Sequence, residues 1–179
     1  LFRSHTHVVA AFHQYEIDTP PKRKQALANT ICLALEVHAQ LEEEIFYPAM
    51  QALKGDSGVV EKSIPEHNEM RRLIEKLRSM ESTDPMFDKT VAELMRDVLH
   101  HVADEETVLL PDAERMLGDQ LRELGAKMTR RRLQLMTPKA GQVAVNLTRA
   151  LPASTLLLTV GAIGIGAMLI KSLSRRSLR

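Results

Sequence analysis

A histidine with a glutamate four residues on and a proline ten residues on occurs twice in this chain, sixty-three residues apart. The first copy is His38, Glu42 and Pro48; the second is His101, Glu105 and Pro111. Each has an upstream histidine at nearly the same distance, His5 lying 33 residues before His38 and His67 lying 34 before His101. The apolar flanks match too: Val8, Ala11 and Phe12 follow His5 as Met70, Leu73 and Ile74 follow His67. This duplication restricts the fold to paired helices, because residues at i and i+4 stand one turn apart on one helix face.

One HxxxE pair in a charged helix arises by chance and says little. Pairs, prolines, upstream histidines and flanks repeating in register point instead to a metal site. Each half offers two imidazoles and one carboxylate, a borderline-nitrogen and hard-oxygen mix that suits iron, manganese or zinc. Facing halves would set two metals side by side in a helix bundle, with carboxylates able to bridge them. His7, His13 and His100 have no counterpart in the other half and read as surface or core-edge residues. His100 offers a competing register through Asp104, but the proline spacing favours His101.

The chain resembles the haemerythrin-like (HHE cation-binding) domain family over about Leu1 to Leu117. That resemblance implies an up-down four-helix bundle holding two non-haem iron ions. It implies His5, His38, Glu42, His67, His101 and Glu105 as metal ligands, with the two glutamates as bridges. Oxygen-carrying haemerythrins have a fifth histidine one turn after the position of His67, where this chain has Arg71. The lost imidazole argues against reversible oxygen carriage. Glu43 and Glu106 are read as solvent-facing charge rather than substitutes.

Turn signals divide residues 1–118 into four helices. They are expected over about Leu1–Glu16, Lys22–Leu53, Val59–Met80 and Met86–Leu117, the last closed by Gly118. Asp18-Thr-Pro20-Pro21 breaks the first from the second, and Asp84 is placed to cap the fourth. Pro48 should end or kink the second helix. Cys32, the only cysteine, lies in the apolar run Ile31 to Leu35 and reads as a small core residue; a thiolate cluster and a disulfide framework are both excluded. The chain opens on Leu1 rather than Met, which reads as a first helix lacking its start.

Charge splits the chain. Residues 1–118 carry 13 Lys/Arg and 21 Asp/Glu, net −8, whereas 119–179 carry 11 and 2, net +9. Residues 119–149, with Arg130-Arg131-Arg132 and Thr137-Pro138, read as a basic linker helix and hinge whose partner is anionic lipid, not nucleic acid. Between Arg149 and Lys171 stand 21 uncharged residues. At ~1.5 Å per residue they span ~30 Å, so 150–171 is expected to be a single transmembrane helix, followed by a basic tail over 172–179. Gly161, Gly164 and Gly166 leave a smooth face for a homodimer contact. The expected placement is a single-pass membrane protein with its metal domain in the cytoplasm.

The function expected is binding or sensing of O2, NO, iron or redox state. The alternative is a di-iron enzyme consuming peroxide, NO or O2. Ferritin-like oxidases draw on more carboxylates and on ExxH pairs, and ExxH is missing here at the relevant positions.

Overall fold

The structure is a computed structural model that describes residues 9, 10, 12–53 and 58–150. Among these residues every regular element is helical. Val9, Ala10, Phe12 and His13 are helical. There follow α1 (Pro21–Leu41), a π-helical turn (Glu42–Phe46) and α2 (Tyr47–Ala52). Next come α3 (Val59–Arg78), α4 (Phe87–Asp104), a second π turn (Glu105–Leu109) and α5 (Leu110–Leu117). The chain continues as α6 (Gln120–Met136), a 3-10 turn (Thr137–Lys139) and α7 (Ala140–Ala150).

The duplicated prolines explain the π turns. Proline has no N–H to donate to the carbonyl four residues back, and its ring crowds that carbonyl. In each copy the turn before the proline widens: the Tyr47 N–H reaches the Glu42 carbonyl and the Leu110 N–H reaches the Glu105 carbonyl, five residues back. Pro48 and Pro111 then stand in the first turn of α2 and α5, where a missing N–H costs nothing. The second and fourth helices expected from sequence are thus each an α–π–α rod that runs on past its proline.

The ends are also set locally. Pro20 is extended (φ −54°, ψ 141°) and Pro21 opens α1 with its φ already helical. Gly58 begins α3 at φ 76°, a left-handed conformation that suits glycine. The Asp84 carboxylate accepts the Met86 N–H at 2.7 Å in the turn before α4, but the N-cap is Met86 and no side chain caps the helix, so Asp84 is not the cap expected from sequence.

The bundle closes on two apolar layers. The first joins Phe12 to Ile31, Cys32 and Leu35 of α1, Met70, Leu73 and Ile74 of α3, and Leu94 and Val98 of α4. Each such large side chain contributes about 1.5–3 kcal/mol by leaving water. Burial pushes the Cys32 thiol up to about 12, so it is inert packing. The second layer gathers Phe46, Tyr47 and Met50 with Val60, Leu109 and Ala113. Phe46 and Leu109, the last residues of the two π turns, belong to this second layer.

Residues 119–149 are packed rather than strung out. Met128, Leu135, Met136 and Val143 lie on Leu33, Val37 and Leu41 of α1, and Arg131 donates two hydrogen bonds to Glu44, at 2.7 and 3.0 Å. The expected hinge at Thr137-Pro138 is a 3-10 turn between α6 and α7. Among the described residues no helix is long and apolar enough to cross a membrane. The expected span at 150–171 (Ala150 apart), the tail at 172–179 and His5 lie outside the described residues.

Candidate metal centre

His38 ends α1 and Glu42 opens the π turn after it; His101 and Glu105 repeat this at the end of α4. His67 projects from α3. All five side chains are almost entirely withdrawn from solvent, Glu42, His67 and Glu105 at 0 % exposure. Burying two carboxylates costs several kcal/mol each unless positive charge meets them.

Four of them converge, and His67 adjoins Glu42 and His101 of that group. One ligand atom each from His38, Glu42, His101 and Glu105 lies within 4.8 Å of the others. Glu42 Oε2 is 3.2 Å from His38 Nε2, 3.4 Å from His67 Nε2 and 3.9 Å from His101 Nε2. Glu105 Oε2 is 3.8 Å from His101 Nε2. The Nε2 atoms of His67 and His101 face each other at 3.1 Å.

Outer carboxylates decide which ring nitrogens point inward as lone pairs. His67 Nδ1 donates to Glu43 at 2.8 Å, and His101 Nδ1 donates to Glu66 at 2.9 Å. A carboxylate only accepts, so each Nδ1 carries hydrogen and each neutral ring presents a bare Nε2 to the centre. Two lone pairs 3.1 Å apart beside two buried carboxylates repel unless a cation lies among them. Without metal that cation is a proton. Burial opposes charging His101, yet Glu42, Glu105 and Glu66 overcome it and push its pKa up to about 9. A metal ion held by these side chains would take the place of that proton. The donor set is imidazole and carboxylate without thiolate, which fits iron, manganese or zinc.

Arg71, which stands where oxygen carriers have a fifth histidine, clamps Glu43 with hydrogen bonds of 2.7 and 2.8 Å. Glu43 is therefore not the solvent-facing charge expected from sequence: it is about three-quarters covered and orients His67. Glu106, its counterpart in the second copy, is exposed. Of the two competing registers, His101 is buried, whereas the His100 side chain is 70 % exposed, 3.6 Å from Glu66. His13 is exposed.

Tyr47 is the functional residue that sequence reasoning passed over. Its hydroxyl donates to Glu105 Oε1 at 2.8 Å and stands 3.4 Å from Glu42 Oε2. Its ring stacks on His67 with centroids 5.8 Å apart. Burial, with the Glu42 and Glu105 charges, raises its pKa far above the ordinary tyrosine range, so it stays a hydrogen-bond donor. A regular helix would place residue i+4 over Glu42; the widened turn brings i+5 there instead. The proline six residues after Glu42 was the available signal. The second copy has Leu110 at this position, so the two halves are not equivalent.

The family model described as Hemerythrin HHE cation binding domain matches residues 1–113. A DNA nickase from Nostoc sp. is 29% identical over 119 residues, covering 66% of this chain and 34% of that protein. An uncharacterized hemerythrin-like protein from Schizosaccharomyces pombe is 28% identical over 94 residues, covering 51% of this chain and 46% of its own. The chain thus spans between a third and a half of the length of these curated relatives. No solved structure gives a significant match. A matched region that contains His38, Glu42, His67, His101 and Glu105, brought together in a helical bundle, settles the family: the chain belongs to the hemerythrin HHE cation-binding domain family.

Proposed function

We propose that this chain is a non-haem di-iron protein that binds or senses O2, NO, iron or redox state at a membrane. The observation that carries this reading is the pair of Nε2 atoms of His67 and His101, 3.1 Å apart with their Nδ1 atoms held by Glu43 and Glu66, beside two buried carboxylates. His38, His67 and His101 would supply nitrogen, Glu42 and Glu105 oxygen, and His5 is expected to complete the set. Iron, when bound, supplies the redox change. The chain's own residues keep the centre dry, fix each imidazole and hold one oxygen of Glu105 against Tyr47. A centre with ligands at 0–3 % exposure favours diatomic ligands over bulky substrates.

The enzyme reading draws on Tyr47, whose O–H is a buried proton donor beside the ligands. Turnover separates the two readings. A sensor binds NO or O2 stoichiometrically with a changed absorption spectrum, while an enzyme consumes peroxide, NO or O2 continuously. The nickase name belongs to a relative of which this chain covers about a third, and the net −8 of residues 1–118 works against nucleic acid as a partner.

Membrane attachment is assigned to the segment 150–171, uncharged up to Lys171, with the metal domain on the cytoplasmic side and a homodimer contact through its glycines. Deleting residues 151–179, which spares α7 and its packing on α1, should move the protein from the membrane pellet to the supernatant. Continued pelleting of a folded deletion variant would remove the anchor.

A further inference from the structure

The rotation of α6 about its own axis is fixed from the inside. Leu121, Leu124 and Met128 pack on the layer containing Phe46 and Leu110, and Arg131 is tied to Glu44. What α6 turns outward is therefore determined: Arg122, Ala126, Arg130 and Leu133, all exposed and spaced by four, four and three residues along one stripe. Leu133 is 65% exposed, an apolar side chain that ends this stripe one turn after Arg130. Residues 119–150 carry seven Lys/Arg and two Asp/Glu, net +5, against −8 for residues 1–118.

We propose that this outer face of α6 lies on an anionic lipid surface. The inference rests on the membrane reading above and adds to it which face of the folded domain meets the bilayer. The charge asymmetry orients the molecule, since an anionic surface attracts this face and repels the acidic bundle. Reach is also met: α7 ends at Ala150, where the uncharged segment begins, roughly 16 Å of helix beyond the 3-10 turn that closes α6. Leu133 distinguishes lipid from nucleic acid, because an exposed leucine can enter the acyl boundary but adds nothing to a phosphate backbone contact.

The chain contains no tryptophan, so L133W creates a single fluorescent reporter on the proposed face. The full-length variant is reconstituted with phosphatidylcholine vesicles, with and without phosphatidylserine, carrying brominated acyl chains. The expected result is a blue shift and quenching of the introduced indole that require phosphatidylserine. Both should be lost when R122E and R130E are added, with helix content unchanged by circular dichroism. An unquenched indole on protein that still floats with the vesicles overturns the docking face and leaves the anchor standing. Equal quenching without phosphatidylserine also overturns it. Protein that does not associate with vesicles at all removes both, and an indole shifted by duplex DNA but not by vesicles reassigns the face to nucleic acid.

Discussion

Removing the Glu43 carboxylate tests how the centre is held without touching a candidate metal ligand. Glu43 accepts the His67 Nδ1–H at 2.8 Å and is itself clamped by Arg71. In Glu43→Ala, His67 remains in place but can take either tautomer, and the form with hydrogen on Nε2 cannot bind metal. Loss of an outer carboxylate of this kind costs roughly 10–100-fold in metal affinity, or about 1.4–2.8 kcal/mol. Arg71 adds no further penalty, since at 38 % exposure water can solvate its freed guanidinium. Glu43→Gln keeps a carbonyl acceptor for Nδ1–H but loses the charge, so it should fall between Ala and wild type. The assay is anaerobic titration of Fe(II) against a chromophoric chelator. Glu69→Ala is the control, because Glu69 is exposed and its ion pair is with the exposed Arg72 on the same helix. A Glu43→Ala affinity indistinguishable from that control would refute the argument that Glu43 sets the His67 tautomer.

Three further outcomes follow from the same geometry. Tyr47→Phe takes a donor from buried Glu105 and should destabilise the metal-free protein by about 1.5–3 kcal/mol in urea unfolding; an unchanged midpoint would mean that Glu105 needs no donor there. Asp88 tests acid sensitivity. Burial works to raise its pKa, but hydrogen bonds from Lys24 (2.7 and 2.8 Å) and Tyr15 (2.6 Å) hold it below the ordinary 3.8. Its contribution is present above the unfolded value and lost as pH falls through the lower folded one. Asp88 is about a third exposed, so Asp88→Asn should cost on the order of 1 kcal/mol at neutral pH, with the gap from wild type closing in acid; a gap independent of pH would contradict this. His101→Ala should abolish metal binding and His100→Ala should leave it unchanged, as their burial differs; equal losses in the titration would restore the His100 register.

The duplicated pattern made the helical bundle and the convergence of His38, Glu42, His67, His101 and Glu105 legible, because four-residue spacing on a helix translates directly into a shared face. Two kinds of residue stayed hidden. Tyr47 was missed because facing was judged on a uniform helical period, and one widened turn before Pro48 shifts the face by a residue. Glu43 was read as solvent-facing charge and Glu66 was passed over, because in a sequence a carboxylate reaching an imidazole on a neighbouring helix looks like one reaching water. The packing of α6 was obscured by its arginines: net charge suggested a linker, while Leu121, Leu124, Met128 and Leu135 on the other side bind it to the bundle.

Iron content bears most directly on the central claim. The full-length protein, purified from aerobic cells, should carry about two irons per chain with near-ultraviolet absorption from ferric iron held by carboxylate and imidazole, and His101→Ala should lose both metal and absorption. Zinc alone, or wild-type protein with no metal under iron-replete growth, would contradict the di-iron account and both functional readings built on it.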